Sequence, residues 1–390
     1  MPSAHSRFAA NYFFFFLFAG IHVAYWPKIL AQHGYSDYHI GVIGAVFVLL
    51  RVIAPGFWGH LADTHQNHKT LLLIKAFASL LSMALIFISI DHYVALLAST
   101  ALFGFFLHGL LPLYETTTLN YLDGDNHRYN LIRLWGSISF IIAVFATGAL
   151  LDILPESLIY GLLLGSLALL FISTYRMPNL QAELPAAKLG ATAENFLRSL
   201  GRPAVVVFFL TAFLMHMSHG QFYGFFTLSL EEAGYSSTHI GALWAIGVVV
   251  EIIVFMTFKH LRCYLSDTTI WLSCLAFAVV RWLIMAYCIE SWPMVWFAQL
   301  FHAFTFGGFH SLMMIFIHGQ FAKRQQARAQ SFNTAFCYGL GTGLGIFLAG
   351  VLMEQQGSMA SYLIASAQAF AALIIAIFGA LWMKRQPNKE

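Results

Sequence analysis

Long apolar runs alternate with short polar breaks along almost the whole chain. Six of them cover residues 8–31, 38–61, 70–90, 93–121, 130–152 and 156–176. After a polar stretch, six more cover 203–230, 238–260, 268–288, 291–320, 329–353 and 358–382. Each approaches or exceeds the roughly 20 mainly apolar residues that carry an α-helix across a bilayer. The pattern predicts an all-α membrane protein with twelve transmembrane helices. The polar stretch from Met177 to Arg202, with Pro178, Pro185 and mixed charges, predicts a linker. The chain thus divides into a six-helix half at 1–177, a linker at 178–202 and a second six-helix half at 203–390.

An even number of spans in each half makes both halves enter the membrane in the same direction. They are expected to be parallel repeats related by an axis along the membrane normal. A local trace supports this. GYSDYHIG starts at Gly34 and GYSSTHIG at Gly234, each at the first outside loop of its half. Ser36 and Ser236 are candidate N-caps of the helices that follow.

Composition narrows the class. Of 390 residues, 59% are hydrophobic and 9% charged, against about 25% charged in soluble domains. A mean hydropathy of +0.73 excludes a soluble fold. The first run has no small-residue cleavage site after it and reads as a span rather than a removed leader. Cys263, Cys274, Cys288 and Cys337 lie in or beside apolar runs without CxxC spacing, so neither a disulfide framework nor a zinc site is expected. No cofactor, metal or nucleic acid is implied.

Charge placement sets the orientation. Basic residues gather at Arg7, Lys69, Lys75, Arg128, the linker, Lys259, Arg262, Lys323, Arg324, Arg328 and the C-terminal tail. The opposite loops hold Lys28 alone among bases, but also Asp37, Asp91, Asp152, Glu156, Glu231, Glu232, Glu290 and Glu354. Both termini and the linker are therefore expected in the cytoplasm, and the protein in a cell membrane, the bacterial inner membrane.

Five ionisable residues fall inside spans: Arg51, Glu115, Arg133, Glu251 and Arg281. A charge at the bilayer centre costs about 2.5–3.5 kcal/mol on insertion scales, so such groups avoid lipid and mark substrate or proton pathways. Their expected place is the interface between the halves. Arg51 and Glu251 occupy equivalent positions of the repeat, an acid in one copy and a base in the other. Three arginines against two glutamates leave a positive surplus that an anionic substrate would satisfy, and a guanidinium grips a carboxylate at two points. Glu251 is the candidate proton carrier, facing Arg51. Tyr223 lies on a helical stripe with His216 and His219. Trp26 lies on a stripe with His22 and Tyr25. Trp244 precedes Glu251 by two turns on the same face. These aromatic residues are candidate wall positions, and packing roles are equally open to them. His108, seven residues before Glu115, shares its helical face. The glycines of YGLGTGLGIFLAG (338–350) permit close helix packing.

Twelve spans in two parallel halves resemble the major facilitator superfamily. GHLADTHQNHKTLLL, beginning at Gly59, keeps the first part of its loop signature in Gly59, Asp63 and Lys69; Gln66 stands where a second glycine is usual. The resemblance implies that this motif gates the cytoplasmic side. RLWGS (133–137), PLYET (112–116), HGQFYGF (219–225), VVRWLIM (279–285) and the pair His302 and His310 resemble the 3-phenylpropionate permease family, with a fainter likeness to lactose permease. That resemblance implies proton-coupled uptake of an aromatic carboxylate by a monomer in the bilayer, adding weight to His219 and His302. A sugar or nucleoside symporter is the alternative. No GxSxG, HExxH or paired-aspartate motif is present, and an enzyme is not expected.

Overall fold

The computed structural model describes residues 4–65, 67–178 and 193–385. Gln66 and residues 179–192 of the expected linker lie outside the described residues. Among those described, eleven helices are long and apolar enough to cross a membrane. We label them α1 His5–Gln32, α2 Asp37–Thr64, α3 His68–Ile88, α4 Tyr93–Tyr121, α5 His127–Leu151, α6 Leu158–Tyr175, α7 Pro203–Glu232, α8 Ser237–Tyr264, α9 Asp267–Tyr287 and α10 Trp292–Gln320. The eleventh, Lys323–Lys384, has 62 residues. At 1.5 Å per residue it would run roughly 90 Å, about three hydrocarbon thicknesses. It is broken at Gly357, with φ 80 and ψ 179, a conformation open to a residue without Cβ. It therefore supplies two crossings, α11 (323–356) and α12 (358–384), and the total is twelve.

The helix ends follow from local chemistry. Asn67 accepts from the Thr70 amide to start α3, Asp125 from those of His127 and Arg128 before α5, and Ser266 from that of Thr269 before α9. The repeated octapeptide folds twice in the same way. Gly34 and Gly234 take φ of 78 and 84, and the amides of Tyr35 and Tyr235 return to the carbonyls of Leu30 and Leu230 at 3.2 and 3.0 Å. This closes the preceding helix in a left-handed glycine turn. Each serine then lies 3.0 Å from Nδ1 of the histidine three residues on. The cap expectation holds for Ser236, whose hydroxyl accepts the His239 amide at 3.4 Å. Ser36 occupies the N-cap position without capping an amide.

Lys75 requires a correction. The charge pattern groups it with the loop before α3, but α3 begins at His68 and places Lys75 two turns inside the span, 0% exposed. Its Nζ donates to the Gly109 carbonyl at 2.6 Å and lies 5.4 Å from the centre of a Trp58 ring. It is a sixth intramembrane charge.

Several spans are interrupted at depth. Turns replace helix at residues 50–53 of α2, 108–109 of α4 and 219 of α7. Wide π-helical turns occur at Ala303–Gly308 in α10 and Thr334–Gly341 in α11. Irregular backbone inside a membrane protein is tolerated only where protein or a cavity satisfies it, and π turns concentrate at functional sites.

Two compact units result, Met1–Ala187 with Phe226–Ala245, and Lys188–Phe225 with Ile246–Glu390. One division falls within the expected linker, and the adjoining ends of α7 and α8 go with the first unit, to which they are tied. Asp152 accepts the amides of Ser237 and Thr238 at 2.9 and 3.1 Å at the start of α8. Burial works to raise the Asp152 carboxyl, but hydrogen bonds from Thr238 and Ser237 outweigh it and hold it below the usual range. Lys28 pairs with Glu231 and, at 2.8 Å, with Glu156. Tyr25 donates to the Val144 carbonyl and Thr227 to that of Ala24, both at 2.6 Å.

In the second unit the glycines of α11 permit close packing, as their density predicts. A methyl group on Gly345 would fall onto the Met217 carbonyl, and one on Gly220 onto the Gly345 backbone. Gly345→Ala is expected to cost about 1–3 kcal/mol by overpacking. The check is a lower thermal midpoint in detergent than that of Gly165→Ala, where a Cβ meets nothing within 4 Å.

Candidate functional site

In the second unit a buried arginine sits among neutral partners. Arg281, on α9, is 1% exposed. Its Nη1 donates to His302 Nδ1 at 3.0 Å and to Thr305 Oγ1 at 3.4 Å, and its Nη2 to Gln299 Oε1 at 3.0 Å. The rings of Phe222 and Trp282 lie 4.4 and 4.5 Å from its Cζ. Among the described residues no carboxylate forms an ion pair with it. A buried cation held by neutral dipoles alone lacks the counter-charge that ordinarily offsets its desolvation.

Because His302 accepts at Nδ1, its neutral ring carries the proton on Nε2. That nitrogen lies 4.0 Å from Glu251 Oε2, too far for a direct hydrogen bond. Glu251 keeps 16% of its side chain exposed, which places it at the edge of the cluster. The π-helical stretch begins directly after His302 and brings Gly307 against the Glu251 side chain, where a Cβ would crowd its Cγ. His219 closes the first part of α7. Its Nδ1 lies 2.8 Å from the Met215 carbonyl and its Nε2 3.3 Å from Thr305 Oγ1. The Tyr223 ring is 6.4 Å from that of His219.

The structure thus gathers Arg281, His302, His219, Tyr223 and Glu251. Sequence reasoning missed Gln299, Thr305, Phe222 and Trp282. Gln299, His302 and Thr305 recur at three-residue intervals in an apolar span, and that polar stripe was a usable signal. The aromatic shelf had none, since phenylalanine is common throughout. His310 pairs instead with the Tyr338 hydroxyl at 2.8 Å.

The first unit has its own half-buried cation. Arg51, in the interruption of α2, donates through Nε to His108 Nδ1 at 3.4 Å. His108 Nε2 in turn reaches the Phe47 carbonyl at 2.9 Å. His108 sits in the interruption of α4, so a seven-residue count from it to Glu115 no longer measures two helical turns. Glu115 instead has Arg133 and Tyr129 as neighbours. The Arg133 guanidinium lies 4.1 Å from the Phe16 ring centre and 5.9 Å from that of Tyr12. Trp26 stacks on His22 with centres 6.0 Å apart, and Trp244 donates to Thr227 Oγ1 at 3.1 Å. Both tryptophans are buried.

The loop motif is only partly engaged. Lys69 donates to the Met177 carbonyl at 2.6 Å, beside the end of α6. Gly59 and Asp63 are exposed, and Asp63 makes no ion pair among the described residues.

Comparison with known proteins follows the same lines. Residues 5–364 match the MFS_1 like family. A protein of Escherichia coli (strain K12) named "Probable 3-phenylpropionic acid transporter" is 27% identical over 354 residues, covering 90% of this chain and 91% of that protein. The maltose permease of Geobacillus stearothermophilus is 25% identical over 330 residues, covering 83% and 81%. The solved structure of the nucleoside transporter NupG matches with a TM-score of 0.81 at 16% identity, over 99% of this chain and all of that one. That last likeness speaks to the fold. The family match spans nearly every crossing described above, and the chain belongs to the MFS_1 like family of major facilitator transporters.

Proposed function

We propose that this transporter takes up a small organic anion, an aromatic carboxylate such as 3-phenylpropionate, together with a proton, by alternating access between its repeat halves at 1–177 and 203–390. Both termini then lie in the cytoplasm, in keeping with the charge pattern. One observation carries the substrate assignment: Arg281 is buried among neutral hydrogen-bond partners. A carboxylate supplies the missing charge and accepts from the planar guanidinium at two points. Phe222 and Trp282 offer aromatic surface beside it. Proton coupling is assigned to Glu251 with His302, the acid and imidazole that approach each other at the edge of the same cluster.

A sugar or nucleoside is the second reading. Gln299, Thr305 and His302 form a neutral polar set, and relatives include proteins named for maltose and nucleosides. The two separate in proteoliposomes under an inward proton gradient. Labelled 3-phenylpropionate is expected to accumulate, and its amide, maltose and uridine are not. Accumulation of uridine or maltose, with no uptake of the carboxylate, overturns the anion assignment.

A further inference from the structure

Three arginines meet in a cleft that the transport reading does not use. A short helix, Ala193–Leu200, precedes α7. With the turn between α10 and α11 it borders an open cleft of about 580 Å³. Arg198 and Arg202 line it from one side and Arg324 from the other, with Gln320 and Gln325 between them. The short helix is docked. Ser199 donates to Gln325 Oε1 at 3.3 Å, Phe196 packs on Phe321 with centres 5.9 Å apart, and Arg202 Nη1 donates to the Gln320 carbonyl at 3.0 Å. Among the described residues no acid lines the cleft, and none pairs with these arginines. Arg262 shows the contrast: it is held by Asp267 at 2.7 Å.

We infer that this cleft binds the phosphate headgroup of an anionic phospholipid. Its place at the ends of membrane-spanning helices favours that ligand over other anions. α7 starts at Pro203, α10 ends at Gln320 and α11 starts at Lys323, so the cleft lies at the ends of three spans, where a headgroup is within reach of its arginines. Leu197, 65% exposed on the same short helix, supplies an apolar contact for the acyl layer beside the charged one. Guanidinium groups match phosphate oxygens in planar pairs, and clustered bases at a membrane surface recognise anionic headgroups. The cleft has the volume of an ordinary small-ligand site. A bound lipid would fasten the helix that leads into α7 to the membrane surface.

The test uses the full-length protein and native mass spectrometry from micelles doped with phosphatidylglycerol or phosphatidylcholine. The wild type is expected to retain phosphatidylglycerol preferentially. The triple variant Arg198→Gln, Arg202→Gln, Arg324→Gln should lose that preference by about tenfold or more. Arg324→Gln alone, at an exposed position, should lower it several-fold and keeps the test open if the triple variant unfolds. Arg262→Gln should leave it intact. An unchanged preference in either cleft variant overturns the proposal. So does displacement of phosphatidylglycerol by inorganic phosphate or glycerol 3-phosphate at equal concentration, which would mark a site for free anions.

Discussion

Arg281→Lys is expected to abolish high-affinity substrate binding while leaving the protein folded. The variant keeps the buried positive charge, so no charge is lost. What disappears is the planar fork, which now reaches His302, Thr305 and Gln299 at once and which is proposed to turn to the substrate carboxylate. An ammonium is a compact point charge and cannot reproduce two parallel contacts. Truncating a partner in a buried charged hydrogen-bond pair costs about 2–5 kcal/mol, so affinity should fall by about thirtyfold or more. Calorimetric binding of 3-phenylpropionate and its amide, beside a thermal unfolding curve, checks this. A purely structural arginine would give the opposite pair of results, a clear fall in midpoint with affinity unchanged.

Glu251→Gln is expected to separate binding from energy coupling. An amide has the shape of a protonated carboxyl group but cannot release a proton. Substrate exchange needs no release, so counterflow should survive. Accumulation against a gradient needs release in every cycle, and it should collapse to simple equilibration. For one proton per monovalent anion the wild type should reach roughly tenfold accumulation per pH unit. The pH dependence of binding should also flatten in the variant. His302 lies 4.0 Å away, so His302→Gln is the companion measurement. If Glu251→Gln still concentrates substrate, the coupling proton is carried elsewhere, with Glu115 the next acid to examine.

The family resolves one earlier alternative. Membership in a transporter family excludes the enzyme reading, in agreement with the missing motifs. Substrate class is finer than the family, whose relatives carry names as different as a phenylpropionic acid transporter and a maltose permease.

The number of crossings, the helical state of each and the glycine turns at Gly34 and Gly234 were determined by sequence alone. Lipid offers no partner for a backbone N–H or C=O, so an apolar run of sufficient length has helix as its only spanning form. A left-handed turn has glycine as its natural occupant. The exceptional chemistry was legible for a related reason. Charges are too costly in an apolar run to persist without a role, so Arg51, Glu115, Arg133, Glu251 and Arg281 stood out by residue type. Tertiary structure decided what each charge meets. Arg281 finds His302, Gln299 and Thr305 at separations of 21, 18 and 24 residues, through the packing of one helix against another. No periodicity within either helix encodes that rotation. Tertiary structure also decided that α4 breaks at His108, so that His108 meets Arg51, and that Lys75 is buried against the Gly109 carbonyl. Local pattern specifies helices because their hydrogen bonds close within four residues; it leaves the site open because the site's bonds close between helices.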